Sequence, residues 1–249
     1  MSTQAKPNPG TVAIDELPLA QLERMATAGV EVQDCRRVLT KTGDNIVGEL
    51  LKDHDTFFEW DHYPPGDVFD DETNAQFYYH AHEEDERMPG EHGHFHTFVR
   101  EEGLPARVLP APVPDFDPKP EDGILTHLIG ISMSPAGDPI RLFTTNRWVT
   151  GETWYTADDV IATLDHFVIG LAQPSWPVNR WITAMLRLFR PQIVELFRAR
   201  DERVAAWQLQ HADANVFEDR DLNVTSDMTI SVRDQVAAID KAVRSWRKS

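Results

Sequence analysis

The amino-acid sequence predicts an α+β fold: a small antiparallel sheet of two hairpins, flanked by N-terminal and C-terminal helices. Two observations support this class. Apolar residues near both ends of the chain recur at helical spacing, whereas the middle contains short runs of aromatic and β-branched residues bounded by turn-forming residues. A chain of 249 residues is also long enough to bury a core without disulfides.

The N-terminal part is expected to be helical after a flexible tail of residues 1–14. A short apolar stripe over Leu19–Ala26 predicts a helix that stops at Gly29. A second helical stripe follows over Val32–Leu39, and a third over Ile46–Leu51. We expect these helices to form a cap at one end of the sheet.

Two hairpins are predicted in the middle of the chain. A turn at Pro64–Gly66 precedes the first hairpin, which spans residues 75–100 and has a long polar loop between its strands. Residues 103–122 contain six prolines and are expected to form an extended connector without regular structure. The second hairpin spans residues 127–148, with its turn at Gly137.

The C-terminal part is predicted to be helical from about residue 156 to residue 249. Thr156 and the acidic residues after it form a capping box that opens a helix reaching about Phe167. Pro177 begins another helix, which Pro191 should kink or restart. The last helix, Val232–Trp246, is amphipathic, and its apolar face packs within the monomer or forms a homodimer.

The composition argues against several classes of partner and location. With 41 acidic and 24 basic residues, the chain has a formal charge of −17, which repels nucleic acid and anionic membrane surfaces. The N-terminus lacks the apolar run of a secretory signal, and no stretch approaches the roughly 20 apolar residues of a membrane span. We therefore expect a cytoplasmic protein with a small-molecule substrate, no nucleic-acid partner and no membrane partner. The single cysteine, Cys35, is expected to be a buried apolar residue.

Five of the ten histidines lie between residues 80 and 96. Side chains two apart on a strand share a face, so His80 and His82 project together, as do His92, His94 and His96. If the numbers of paired residues sum to 174, His80 faces His94 and His82 faces His92; a sum of 176 pairs His80 with His96 and His82 with His94. Either register gathers at least four imidazoles on one patch.

Such a patch is typical of a metal site. Imidazole nitrogen binds a divalent metal at about 2.0–2.1 Å, whereas metal-free histidines at this density would repel one another when protonated. We expect a divalent transition metal, with iron or copper favoured and zinc as the alternative, in a mononuclear or dinuclear centre. Residues 15–249 would then form a single metal-binding domain. The predicted ligands are His80, His82, His92, His94 and His96.

Three further residues are candidates for a catalytic role. Glu91 can supply a carboxylate or accept a proton if its strand begins after His92. Tyr78 lies on the predicted histidine face, where it can donate a proton or act as a redox neighbour. His127 is expected on the apolar face of the second hairpin, beside Asn146, either as a core histidine hydrogen-bonded to Asn146 or as a further ligand or ligand-orienting residue.

The segment from His80 to Gly93 resembles the first metal motif of the cupin barrels. The resemblance implies that His80, His82 and Glu86 bind the metal. The alternative architecture is therefore a cupin-like β-barrel with a helical extension. The sequence departs from the cupin pattern at Asn74, where the first motif has a glycine, and at Ile140, where the second motif has a histidine.

A second resemblance is carried by Tyr79-His80-Ala81-His82 and by Glu91-His92-Gly93-His94-Phe95-His96. These two stretches are similar to an uncharacterised bacterial family. That resemblance implies no activity.

The function predicted from these patterns is that of a metal-dependent enzyme. Oxygen-dependent oxidation of a small molecule at non-haem iron or copper is favoured, because histidine-dominated sites leave positions for oxygen and substrate. The alternatives are a zinc-dependent hydrolase, a non-enzymatic metal-binding or sensor protein, and a structural zinc site. The chain has no P-loop and no GxGxxG, GxSxG, HExxH or CxxC motif, so nucleotide binding, serine hydrolysis and thermolysin-like proteolysis are unsupported.

Overall fold

A computed structural model describes residues 12–114 and 125–248. Its centre is a six-stranded antiparallel sheet in which each strand pairs with its neighbours in sequence. The sheet is open rather than closed into the cupin-like barrel considered as an alternative, and the α+β class is confirmed. The strands are β1 (Tyr63–Asp70), β2 (Ala75–His80), β3 (Gly93–Arg100), β4 (Leu125–Met133), β5 (Pro139–Thr145) and β6 (Val224–Thr229).

Helices from both ends of the chain pack against one face of the sheet. Trp181, in the helix Trp176–Leu188, contacts Phe95 of β3, with ring centroids 5.5 Å apart, and both side chains belong to the main apolar core. No helix in the part of the chain that the structure describes is long and apolar enough to cross a bilayer. The helices are α1 (Leu19–Thr40), α2 (Ile46–Leu51), α3 (Arg147–Thr150), α4 (Ala157–Thr163), α5 (Trp176–Leu188), α6 (Arg190–Gln210) and α7 (Val232–Trp246).

The predicted break at Gly29 is wrong, because α1 continues through this residue. A Cβ atom at Gly29 would lie 2.9 Å from Val236 Cγ2, so the missing side chain lets α7 approach α1 closely. Glycine inside a helix costs about 1 kcal/mol relative to alanine. Burial of apolar surface between the two helices offsets that cost, which is a tertiary effect that local propensity does not reveal.

Pro64–Gly66 was predicted to be a turn, but these residues lie within β1. The strand is at the edge of the sheet, where proline removes no hydrogen bond that a neighbouring strand needs. Its register shifts between Tyr63, which pairs with Tyr79, and Val68, which pairs with Phe77. The intervening residues bulge away from β2.

Strand β6 interrupts the C-terminal part that the sequence predicted to be helical. Its Thr225 and Ser226 are fully buried, and both hydroxyls hydrogen-bond to Thr144 Oγ1, at 2.8 and 2.6 Å. Because these buried side chains are polar, β6 lacks the apolar alternation by which strands are recognised.

Most of the other predicted elements are present. Thr156 caps α4, a 3₁₀ turn then extends to His166, and α6 begins at Arg190, next to Pro191. In the proline-rich connector, the described residues 104–114 contain neither helix nor strand. Gly103, the first residue of the predicted connector, ends a 3₁₀ turn, whereas connector residues 115–122 and most of the predicted N-terminal tail lie outside the described part of the chain.

Candidate metal centre

The central strands β2 and β3 give the sheet two different faces. Their observed register pairs Tyr78 with His96 and His80 with His94, which is the 174 register considered above. Because alternate residues on a strand point to the same side, all four side chains share one face. The intervening apolar residues on these strands, among them Phe95, face the helices and belong to the main core. We call the opposite side the histidine face.

Three histidines on this face converge. His80, His94 and His96 are 8%, 5% and 2% exposed, and each offers a ring nitrogen within 4.8 Å of the other two. The Nε2 atoms of His80 and His94 are 2.8 Å apart. Nitrogens bound tetrahedrally to one ion, each at about 2.0–2.1 Å, lie roughly 3.3 Å from one another. The 2.8 Å separation of two nitrogens and the 4.8 Å limit for all three lie on either side of this value.

Glu91 orients His94. The strand begins at Gly93, after Glu91 and His92, which meets the condition set for Glu91 to face the cluster. Its Oε1 lies 2.7 Å from His94 Nδ1, and both side chains are nearly completely buried. A carboxylate accepts hydrogen bonds, so Nδ1 carries the proton, and the Nε2 lone pair is directed towards His80.

His127 engages His96 in a similar way. His96 Nδ1 is 3.0 Å from His127 Nε2, and His127 Nδ1 is 3.4 Å from the Thr145 hydroxyl. We assign the proton of each ring to Nδ1, so that His127 donates to Thr145 and accepts from His96. This assignment leaves Nε2 of His96 as the nitrogen available to an ion.

The face predicted for His127 is wrong. In the β3–β4 ladder Thr97 pairs with Ile129 but Phe98 pairs with His127, so Leu128 is an extra residue on β4. A bulge of one residue reverses the alternation beyond it, which turns His127 to the histidine face while Ile129 remains in the core. Asn146, the expected partner of His127, instead caps α3 and donates from its side-chain amide to the Val216 carbonyl.

Burial keeps two rings of the triad, His80 and His96, neutral. Burial, followed by the charges of neighbouring histidines, lowers the pKa of His80 to about 2 and that of His96 well below its usual value. Burial, with a smaller effect of Arg200, lowers the pKa of His127 to about 3. Neutral imidazoles have a free lone pair at physiological pH, which is the form that binds metal.

The pKa of Glu91 is lowered even though this carboxyl is also buried. Loss of solvent alone would raise the pKa of this carboxyl, but the interactions with His94, with smaller effects of Ser132 and Arg141, outweigh burial, so the net shift is downward. Glu91 is therefore a carboxylate at neutral pH. The buried negative charge favours a cation at the triad.

His92 is separated from the triad. It precedes β3, and its Nδ1 is 2.7 Å from the hydroxyl of Tyr79, a core residue on the helical face. The His92 ring also contacts Phe57, with centroids 5.3 Å apart. His92 therefore does not share a face with His94, because strand alternation applies only from Gly93 onwards.

His82 lies at the rim of the triad. Because β2 ends at His80, the pairing of His82 with His92 does not form. The His82 ring is partly buried, with its centroid 5.0 Å from His80 and 5.1 Å from His94, and it stacks on Trp60 at 4.3 Å. Glu86, the third ligand that the cupin resemblance implied, is exposed in the loop after β2.

Tyr78 adjoins the triad on the side of the edge strand. Its ring centroid is 5.3 Å from that of His80 and 5.2 Å from that of His96. Burial and the charge of Asp67 raise the pKa of Tyr78, so the phenol is protonated at neutral pH. His62 stacks on Tyr78 at 3.6 Å, and its Nδ1 is 2.9 Å from Asp67.

Two neighbours of the site were not identified from the sequence. His62 approaches it through the pairing of β1 with β2, and no local pattern signals that pairing. Glu152 is 25 positions from His127 in the chain, yet its Oε2 accepts a 2.9 Å hydrogen bond from the backbone nitrogen of His127. Burial raises the pKa of Glu152 to about 7, despite the opposing effect of Arg200. An isolated glutamate in the sequence carries no signal of such burial.

Comparison with known proteins gives a family but no activity. No curated protein and no solved structure matches the chain. One family model covers residues 26–230, a range that includes all six strands and the histidine triad. The chain therefore belongs to the family described as "Domain of unknown function (DUF6969)".

Proposed function

We propose that this chain is a metal-dependent enzyme in which His80, His94 and His96 bind one divalent transition metal. The proposal is carried by the convergence of three buried ring nitrogens within 4.8 Å of one another. The hydrogen bonds that the Nδ1 atoms of His94 and His96 donate to Glu91 and His127 support it. Such partners are typical of histidines that bind metal, since they set the tautomer and the ring orientation.

The number of ligands favours catalysis over storage. Sites with three protein ligands leave coordination positions for water or substrate, whereas sites with four are usually structural. His127 holds the Nδ1 atom of His96. The ring of His82, a further histidine close to the triad, stacks on Trp60 at the rim. We therefore place His82 beside the open positions rather than on the metal.

We favour iron or copper and the oxygen-dependent oxidation of a small molecule. Three neutral nitrogen ligands suit either metal, which when bound would supply a redox-active centre with room for oxygen and substrate. We assign the role of proton donor to Tyr78, whose protonated phenol ring lies beside His80. Glu91 and His127 hold His94 and His96 in position.

A zinc-dependent hydrolase is the second candidate, because three histidines and a water also form a catalytic zinc site. The same residues would act there, with the metal-bound water as nucleophile. The identity of the metal separates these two candidates.

Elemental analysis of the purified, untagged protein tests the proposal. We expect about one iron or copper per chain and near-complete loss of metal in His94→Ala and His96→Ala. His166→Ala is the matched control, since His166 is exposed on the 3₁₀ turn after α4. Stoichiometric zinc would favour the hydrolase, and oxygen uptake or ester hydrolysis with substrate panels would then follow the metal found.

Two results would refute the proposal. One is a wild-type protein that neither retains nor takes up stoichiometric iron, copper or zinc. The other is unchanged metal content in both triad variants, provided that circular dichroism shows them folded. His82→Ala distinguishes an enzyme from a closed binding site: we expect it to keep its metal, and loss of metal would indicate four ligands and a binding protein.

A further inference from the structure

A second candidate site lies in the helical layer, on the opposite side of the sheet from the triad. It is a cavity of about 630 Å³ between α1 and α5, which is within the range of small-molecule pockets, about 300–1,000 Å³. Each helix lines it with residues spaced three and four apart, so one face of each helix is turned to the cavity. From α1 these are Gln21, Arg24, Met25, Ala28 and Glu31, and from α5 they are Arg180, Thr183, Ala184 and Arg187.

The inner part of the cavity is apolar and its wall is held in place. The side chains of Met25, Ala28, Ile169 and Ala184 are buried there. The wall segment 168–170 is fixed at each residue: Val168 O accepts a 2.6 Å hydrogen bond from Thr73, Ile169 N donates to Thr183 at 2.9 Å, and Gly170 N donates to Asp70 at 2.6 Å. The cavity is therefore formed before any ligand arrives.

Arginines dominate the rim. Four line it, two of which are neutralised: Arg180 pairs with Glu31 at 2.5 Å and Arg190 with Asp165 at 3.1 Å. Arg24 and Arg187 are exposed and make no ion pair or hydrogen bond with the residues that the structure describes. Within residues 12–114 and 125–248, two guanidinium groups without a partner thus line one cavity in a chain whose net charge is −17.

We propose that this cavity binds an amphipathic organic anion, a carboxylate with a medium-length hydrocarbon chain. Guanidinium groups bind carboxylates through two parallel hydrogen bonds, which matches Arg24 and Arg187 at the rim. The buried apolar residues match the hydrocarbon part, whose transfer from water is favourable at roughly 25 cal/mol per Å². The site shares no residue with the triad, so it does not rest on the proposed metal function.

Calorimetric titration of the full chain with dodecanoate tests the proposal. We expect one saturable site, and at least tenfold weaker binding in the double variant Arg24→Gln, Arg187→Gln. The matched control is Arg198→Gln, Arg233→Gln, which makes the same change in charge at exposed arginines outside the cavity. That control should bind dodecanoate as the wild type does.

Two further probes test each half of the recognition. Dodecanol lacks the charge and acetate lacks the chain, so both should bind at least tenfold more weakly than dodecanoate. The proposal is overturned if dodecanoate shows no saturable binding, if the cavity variant binds it like the control, or if either probe binds as tightly. The metal-site variant His94→Ala should bind dodecanoate normally, which separates failure here from failure of the metal proposal.

Discussion

Replacing Glu91 by glutamine tests how the triad is organised. The substitution preserves the size of the side chain but removes the charge that His94 Nδ1 contacts at 2.7 Å. Both side chains are at least 93% buried, so solvent does not screen this interaction as it would at the surface. Loss of such an orienting partner reduces metal affinity by about 10- to 100-fold, equivalent to roughly 1.4–2.7 kcal/mol.

The assay is a competition titration of metal-free protein against a chromophoric chelator at fixed pH. Glu102→Gln is the matched control, because Glu102 is exposed and the substitution makes the same change in charge. We expect the control to bind metal like the wild type. An affinity of Glu91→Gln within twofold of the wild type would refute the role assigned to Glu91, since the bond would then neither orient His94 nor favour a cation.

Two more predictions concern the stability of the metal-free protein in urea. Folding lowers the pKa values of His96 and His127, so below about pH 6.5 the unfolded state binds more protons than the folded state does. The free energy of unfolding should therefore decrease as the pH is lowered, by up to about 1.4 kcal/mol per pH unit for each ring. The raised pKa of Glu152 has the opposite effect: as the pH falls from about 7 to the usual pKa of a carboxyl, the folded state takes up this proton first and gains stability. The destabilisation from the two rings is larger than this gain from one carboxyl. Stability that is constant from pH 6.5 to 5 would contradict the prediction. Gly130→Ala should cost about 1–3 kcal/mol, because the new Cβ would lie 2.3 Å from the Phe143 ring. An unchanged urea midpoint would show that Phe143 moves aside freely.

Local patterns in the sequence were sufficient for the parts of the fold that depend on neighbours in the chain. Turn residues between two strands favour an antiparallel hairpin, and the spacing of histidines by two residues determines that His94 and His96 share a face. That reasoning left two registers open for the first hairpin, 174 and 176, and the structure has the 174 register. The sequence therefore predicted that His80 lies on the same face as His94 and His96, and the structure decided that His94 is its paired residue.

The sequence failed where pairing between distant segments decides the outcome. Strand β6 is buried through hydroxyl contacts to Thr144, so its apolar signal is missing. Helix α1 passes through Gly29 because α7, more than 200 positions later, packs there. Local propensity contains neither contact.

The residue types and their spacing alone determined that this protein presents imidazoles on one side of a β-hairpin. The tertiary structure decided which rings converge. Strand β3 begins one residue after His92, which excludes that ring, and the bulge at Leu128 brings His127 to His96. Strand limits and bulges are set by hydrogen bonding to neighbouring strands and by burial of the opposite face, so the final set of ligands and their partners becomes fixed only when the whole sheet is formed.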